Sequence, residues 1–300
     1  MAVGSLIESW IQDAKYSARR LASRPTYLTL AVLTLALGVG GAAAILNIVR
    51  PLLLQPLPYD RPSQLGVLWH NGDWTEEEFL YLRPHFPGFR GMAAYRALDA
   101  TLEMPGEPIR LVRGIATSSE LFTVLGVRPA LGRAFQTGDD LDGAAPTVVL
   151  SYATWQRLGA DPNLIGHSIP VGGAPRRVIG VMPRGFWFPD PAVEVWTAAP
   201  LSPERRAGNY TMVGRAAFPL DRMQPSLNTL AASLKPRFHY PAEWDKTRDP
   251  AIRPIRDFVT GRVRPALLAT LGGMLLLLFM ASVIFPLFLL LVGSSLALSQ

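Results

Sequence analysis

Histidines and one short acidic run are the residues of this sequence that could bind a metal ion. No two of the histidines have the short spacing that metal-binding motifs need; they are His70, His85, His167 and His239. Asp139, Asp140 and Asp142 precede Gly143, but the remainder of the calcium-loop pattern is missing. We therefore predict no metal site. The histidines are expected to be surface or hydrogen-bonded polar residues, and the acidic run a solvated turn.

Motifs for catalysis and for phosphate binding are also missing from the sequence. No stretch matches G-x-x-x-x-G-K-[ST], and no G-x-G-x-x-G follows a predicted strand, so no nucleotide-binding loop is indicated. The chain has no cysteine, which excludes disulfides, thiolate catalysis and iron–sulfur ligation. No Ser/His/Asp set has a spacing typical of a triad. We therefore expect neither enzymatic activity nor a cofactor.

Three consecutive aromatic residues, Phe186, Trp187 and Phe188, lie between Gly185 and Pro189. In an extended segment successive side chains point to opposite faces, so at least one ring would point away from a core. Exposed aromatic side chains often anchor protein interfaces. We therefore take all three as candidates for contact with a partner or with lipid. The alternative is a bent loop that buries Phe186 and Phe188.

The first 26 residues have the pattern of an amphipathic helix. Ser5 and Glu8 have capping-box spacing, and apolar residues recur at helical spacing after them. Basic side chains lie on the other side, so the helix suits the headgroup region of a membrane. The candidates for this lipid interface are Trp10, Lys15, Arg19 and Arg20. Packing against a soluble neighbour is the alternative. The net charge of +6 comes without a basic run interleaved with aromatics, so nucleic acid is not expected as a partner.

Two charge-free apolar stretches are long enough to cross a membrane. Residues 27–49 would rise about 35 Å as a helix, and residues 265–300 would rise more, against a hydrocarbon core of about 30 Å. A signal peptide is the alternative for the first stretch. Small residues in the first stretch favour close helix packing; they are Gly38, Gly41, Ala42 and Ala44. The short basic N-terminus predicts cytoplasmic termini, with residues 50–264 on the periplasmic side of the bacterial inner membrane.

Residues 50–264 form a polar body with mixed secondary structure. Strand-like stretches cover residues 147–152, 177–182 and 193–196. Short helices are predicted over residues 119–125, 152–158 and 222–234, and Glu76 to Glu78 suit the first turn of another helix. Short strands and helices in alternation predict an α+β domain.

The order of these segments resembles that of the MacB-like and FtsX-like permeases of ABC transporters, above all the large duplicated acidobacterial type. Several stretches carry the resemblance and together cover nearly the whole chain. They are residues 30–41 (LAVLTLALGVGG), 54–69 (LQPLPYDRPSQLGVLW), 119–135 (SELFTVLGVRPALGRAF), 148–166 (VVLSYATWQRLGADPNLIG), 177–189 (RVIGVMPRGFWFP) and 252–273 (IRPIRDFVTGRVRPALLATLGG).

The resemblance implies an α+β periplasmic core domain, with a porter-like part and an inserted lobe, between two membrane spans. It also implies work beside an ATPase in ordinary members, which continue after the second span into a cytoplasmic coupling segment. Because this sequence stops at Gln300, we expect no such segment here. The expected function is a non-catalytic accessory subunit that braces a larger inner-membrane complex, with other integral membrane subunits and lipid as partners. A respiratory or photosynthetic complex is a candidate host. The alternative is a component of a split MacB-like ABC transporter with a separate ATPase and further permease spans.

Overall fold

A computed structural model describes residues 56–69, 74–84, 87–103, 108–204 and 208–261, with single helical positions at 36, 40, 41, 43, 269, 270, 272–274, 276 and 279. The chain divides into two compact units, Met1–Gln55 with Arg262–Gln300, and Pro56–Gly261. The predicted N-terminal helix and most of both predicted spans lie outside the described residues. Among the residues that are described, no helix has the length and hydropathy needed to cross a membrane.

The second unit, Pro56–Gly261, is built from short strands and helices. Its strands are β1 (Leu65–Leu68), β2 (Phe89–Leu102), β3 (Arg110–Thr117), β4 (Leu131–Gly132), β5 (Thr147–Leu150), β6 (Ser168–Val171), β7 (Ala174–Val181), β8 (Val193–Ala198), β9 (Thr211–Ala216) and β10 (Ile252–Pro254). Its helices are α1 (Glu76–Leu82), α2 (Leu121–Leu125), α3 (Tyr152–Arg157), α4 (Gln224–Leu234) and α5 (Ile255–Gly261). Short 3-10 turns cover Pro62–Gln64, Pro162–Leu164, Leu220–Arg222 and Ala242–Trp244.

All of these strands belong to one mixed sheet. Its order is β10-β1-β9-β2-β3-β8-β5-β7-β4, and β6 pairs with both β2 and β7. The β3–β8 and β5–β7 pairs are parallel and the other pairs are antiparallel. The α+β class predicted from the sequence is therefore confirmed.

The pairings of β6 close six strands into a ring, in the order β2, β3, β8, β5, β7 and β6. Leu102 at the end of β2 pairs with Val171 at the end of β6. The Gly172 amide also donates to the Thr101 carbonyl at 2.8 Å. Aliphatic side chains from these strands pack together as one cluster, which includes Ala100, Leu102, Val112, Val148, Leu150, Val171, Val178 and Val195.

Two further hydrophobic clusters lie on opposite faces of the sheet and include residues of the ring strands. Neighbouring residues of a strand point to opposite faces, so Val67 joins one cluster and Leu68 the other. The Val67 face is covered by α2, by the loop before β8 and by Ile255 at the start of α5. The Leu68 face is covered by α1 and α4. Coverage on both faces makes the sheet the centre of the unit.

The first and last strands of the unit are hydrogen-bonded neighbours. Val67 of β1 pairs with Arg253 of β10, and the Trp69 amide donates to the Ala251 carbonyl at 3.0 Å. Helix α5 then contacts β1, β10 and the Pro62–Gln64 turn. The two ends of the unit therefore meet at one edge of the sheet.

Several elements predicted from local pattern are present with small shifts of their bounds. Strands β5, β7 and β8 and helices α2, α3 and α4 confirm the corresponding predictions. Glu76 to Glu78 do open helix α1. The hydroxyl of Thr75 and the carboxylate of Glu78 form a capping box, which satisfies two backbone amides that have no partner within the helix.

Candidate partner-contact site

The loop between β7 and β8 carries the three consecutive aromatics and folds back on itself. The Phe186 amide donates to the Pro183 carbonyl at 3.1 Å. Gly185 has a φ of +82° in this turn, a conformation that glycine adopts without a Cβ clash. The Phe188–Pro189 peptide bond is cis. The loop is therefore bent rather than extended.

The bend separates the three rings by burial. Phe186 and Phe188 are 8% and 0% exposed and belong to the core cluster of the Val67 face, whereas Trp187 is only partly buried. The ring of Tyr59 meets all three edge-on, at centroid distances of 5.9–6.3 Å. Burial raises the pKa of Tyr59 well above its usual value. The two phenylalanines are core residues, and partner contact stays a prediction for Trp187 alone.

Trp187 lines a groove of about 760 Å³ whose other wall is helix α3. Arg157 of α3 lies in this groove and forms an ion pair with Glu194. Arg110 approaches the same carboxylate at 3.7 Å, and the exposed Arg184 is a further lining residue. The groove thus combines an aromatic surface with an excess of cations. Such a surface suits a partner segment that carries acidic and apolar side chains.

Polar contacts hold α3 against β8 beside this groove. The Ser151 hydroxyl caps the helix by accepting from the Thr154 amide at 3.1 Å. The Thr154 hydroxyl in turn donates to Glu194 at 3.3 Å and accepts from Arg157 at 2.9 Å. The helix cap and the Arg157–Glu194 ion pair share these groups and hold α3 against β8.

A second polar cluster links α1 to the segment before β10. The Glu78 carboxylate, in a residue that is 2% exposed, accepts from Tyr240 at 2.5 Å and from Lys246 at 2.8 Å. The Lys246 ammonium also lies 5.1 Å from the centre of the Trp74 ring. Burial and the hydrogen bond to Glu78 raise the pKa of Tyr240 far above its usual value. These contacts tie α1 to the segment before β10, and Glu78, Tyr240 and Lys246 also line a second groove, of about 740 Å³.

The acidic run forms a turn, but it is only partly solvated. Asp140 is 1% exposed and accepts from Arg83 and from the Ser119 amide, both at 3.0 Å. Asp139 forms an ion pair with Arg133. Partial burial alone would raise the pKa of Asp139, but hydrogen bonds from Arg133 and a backbone amide outweigh it, so the pKa lies below its ordinary value. The prediction of a solvated turn is therefore wrong for Asp140, because Arg83 and the Ser119 amide bind its carboxylate, whereas Asp142 is exposed as predicted.

The histidines that the structure describes are exposed. His167 has its Nδ1 atom 2.6 Å from the Asn163 carbonyl, and His239 lies on the rim of the second groove. His70 and His85 lie outside the described residues. Within the described part of the chain, no three His, Asp or Glu side chains are close enough together to hold a metal ion.

Most residues predicted to contact lipid or neighbouring helices cannot be placed. Trp10, Lys15, Arg19 and Arg20 lie outside the described residues, as do Gly38, Ala42 and Ala44. Gly41 is helical, and a Cβ atom added there would collide with the Cε atom of Met274. This contact joins the two segments of the first unit and agrees with the role predicted for Gly41, which stays a prediction.

Local sequence patterns do not identify the arginines beside Trp187. Arg184 directly precedes Gly185 and the aromatic run. A basic residue next to these aromatics could therefore have indicated a charged contact surface. Arg157 has no such signal, because its position depends on an ion pair with Glu194, which is 37 residues away. Spacing rules for local motifs do not show a contact at that separation.

Comparison with known proteins identifies one family. Residues 28–237 match the family described as the MacB-like periplasmic core domain. No curated protein matches the chain.

Comparison with solved structures finds matches at low identity, among them the following three. The periplasmic region of MacB from Actinobacillus actinomycetemcomitans is 16% identical, with a TM-score of 0.48, and the match covers 74% of this chain and 98% of that one. The extracellular domain of the noncanonical ABC-type transporter YknZ from Gram-positive bacteria is 18% identical, with a TM-score of 0.45 and coverages of 57% and 93%. A permease-protein domain from Porphyromonas gingivalis is 10% identical, with a TM-score of 0.48 and coverages of 65% and 92%.

Proposed function

Since the chain belongs to the MacB-like periplasmic core domain family, we propose that it acts mechanically, as the membrane-anchored periplasmic module of a permease-type assembly. In this role the module braces the assembly from outside the membrane and holds a partner there. It performs no chemistry of its own. The flanking stretches 27–49 and 265–300, which contain no charged side chain, would anchor it in the bacterial inner membrane.

The observation that carries this proposal is the pairing of the first and last strands. Because β1 and β10 are hydrogen-bonded to each other, a displacement at either end of the unit is transmitted to one sheet edge. The sheet is packed on both faces, and close-packed interiors transmit strain with little compression. A stiff body held at two adjacent points is suited to bracing a partner or to passing on a movement.

The groove beside Trp187 is the surface we propose for the partner. Trp187 supplies a partly buried aromatic anchor, and Arg184 and Arg157 supply charges. Interface energy is concentrated in aromatic and arginine side chains of this kind. The family match favours one further host, a split ABC transporter in which the module works with a separate ATPase and additional permease spans.

Co-purification from the native membrane in mild detergent tests the proposal and separates the two hosts. Stoichiometric recovery of integral membrane subunits without an ATPase supports the bracing role. Recovery with an ATPase and further permease spans supports the transporter, and recovery of the chain alone overturns both. Trp187→Ala should reduce recovery of the partner. Phe218→Ala, which removes a ring that is 55% exposed elsewhere on the surface, is the matched control and should leave recovery unchanged.

A further inference from the structure

The positive charge of the chain is concentrated where the periplasmic unit joins the apolar stretches. Residues 65–250 carry 19 basic and 19 acidic side chains and are therefore neutral overall. Residues 50–64 and 251–264 carry six basic and two acidic side chains. The remaining surplus lies in the first 26 residues, with four basic and two acidic side chains.

The structure brings the described arginines of these junctions to one end of the sheet. Arg253 pairs with Val67, so both side chains leave the sheet on the face that α5 covers. Arg256 lies on α5, which contacts the Pro62–Gln64 turn directly after Arg61. Arg61 and Arg90 are both close enough to the buried Arg215 to lower its pKa, although its own burial is the larger cause.

These four exposed arginines, Arg61, Arg90, Arg253 and Arg256, define a surface that we call the junction face. Among the described residues, the acidic side chains near it are Asp60, which lies 3.5 Å from Arg61, and Asp257 on α5. The exposed charge therefore stays positive. Arg215 adds a fixed charge beneath the surface, held by the carbonyls of Val124 and Asp60 at 2.8 and 2.7 Å.

We infer that the junction face binds the anionic headgroups of the lipid leaflet from which the unit emerges. This inference rests on the proposed function, in that residues 27–49 and 265–300 must anchor the chain in the membrane. Both ends of the unit lie at the sheet edge that carries these arginines, so anchoring brings the junction face to the headgroups. Basic residues are normally scarce beside the outer ends of membrane spans, so their surplus here needs another cause, and headgroup binding supplies one.

The consequence is a unit that lies close to the bilayer rather than swinging on its two connections. Each arginine near an anionic surface strengthens binding about fivefold at low salt, and the effect weakens with ionic strength. Removing three arginines should therefore abolish a preference for anionic lipid without altering the anchoring itself.

Distance-dependent quenching in nanodiscs tests the inference on the full chain. Ser63 is exposed and lies two residues from Arg61, and the chain has no native cysteine, so Ser63→Cys accepts a single fluorophore. The nanodiscs contain a lipid with a nitroxide on its headgroup, in phosphatidylcholine alone or mixed with phosphatidylglycerol. We expect stronger quenching with phosphatidylglycerol, lost at high salt.

The combined variant Arg61→Gln, Arg253→Gln, Arg256→Gln should lose this dependence on anionic lipid. The control Arg113→Gln, Arg177→Gln, Arg248→Gln removes three exposed charges from other surfaces and should retain it. Quenching that is equal in the two lipids, or unchanged in the junction variant, overturns the inference while the anchoring stands. A chain that does not enter nanodiscs overturns the proposed function and this inference with it.

Discussion

The buried carboxylate of Glu78 gives the sharpest test of how the periplasmic unit is held together. It accepts hydrogen bonds from the Thr75 amide and from Lys246, both at 2.8 Å, and from Tyr240 at 2.5 Å. Glu78→Gln keeps the size of the side chain but removes its charge. Lys246, whose side chain is 11% exposed, then loses the carboxylate that balances it. Removing one partner of a buried ion pair costs about 3–5 kcal/mol, which for a domain of this size lowers Tm by roughly 6–20 °C.

A double-mutant cycle measured by thermal unfolding, followed by circular dichroism, separates the pair from its surroundings. Lys246→Met should also destabilise, but the double variant should be less destabilised than the sum of the single effects, with a coupling of about 1–3 kcal/mol. Glu243 is an exposed acid that lines the second groove together with Glu78 and Lys246, and Glu243→Gln should change the free energy of unfolding by about 0.5 kcal/mol or less. The reasoning is refuted if Glu78→Gln behaves like Glu243→Gln, or if the two single effects add.

Three further predictions concern the backbone, the acidic run and the first unit. Gly132 has a φ of +71°, and a Cβ atom there would collide with the Ile179 carbonyl, whereas Gly143 has a φ of +83° with open space around it. In urea unfolding, Gly143→Ala should lower the free energy of unfolding by about 1–2 kcal/mol and Gly132→Ala by more. Equal losses would contradict the packing at Gly132. The pKa of Asp139 is lowered in the folded state, so its contribution to stability is present above the unfolded pKa of about 3.9 and is lost as the pH falls through the folded pKa. Asp139→Asn should therefore make the free energy of unfolding decline less steeply with acid below about pH 5. An acid profile that does not change in this variant would count against the prediction. Gly41→Leu should lower the melting temperature of the detergent-solubilised chain, because overpacking against Met274 costs about 1–3 kcal/mol. Adding Met274→Ala should restore part of the loss. A double variant that shows no rescue would exclude the contact.

Local pattern was sufficient for the elements whose signals lie within a few residues. The run Thr147–Leu150 is β-branched and apolar and forms β5, and Ser151 caps the helix that follows. The aromatic loop matches the alternative of a bent loop that buries Phe186 and Phe188, whereas the extended segment assumed in the alternation argument is not present. For β5 and the cap of α3, the signal that predicts the element lies in the local sequence, although β5 is held in the sheet by β7 and β8.

The features that local pattern missed depend on partners far away in the chain. Local pattern predicts that Asp140 is a polar turn residue, because the residue that binds it, Arg83, is 57 residues earlier in the chain. The strand Phe89–Leu102 contains glycine, arginine and aspartate, which weaken any strand signal, and it forms because β3 and β9 pair with its two sides. Residue spacing does not predict the junction face either, because its arginines come close together only when β10 pairs with β1.

Thiol labelling tests most directly the central claim, that residues 56–261 form a module on the periplasmic side of the membrane. The chain has no cysteine, so each single substitution reports one site. Ala153 is exposed in the groove beside Trp187, and Ser17 lies in the basic N-terminal segment. In intact spheroplasts, a membrane-impermeant maleimide should label Ala153→Cys, and should label Ser17→Cys only after the membrane is permeabilised. Labelling of Ser17→Cys together with protection of Ala153→Cys in intact spheroplasts would contradict the account.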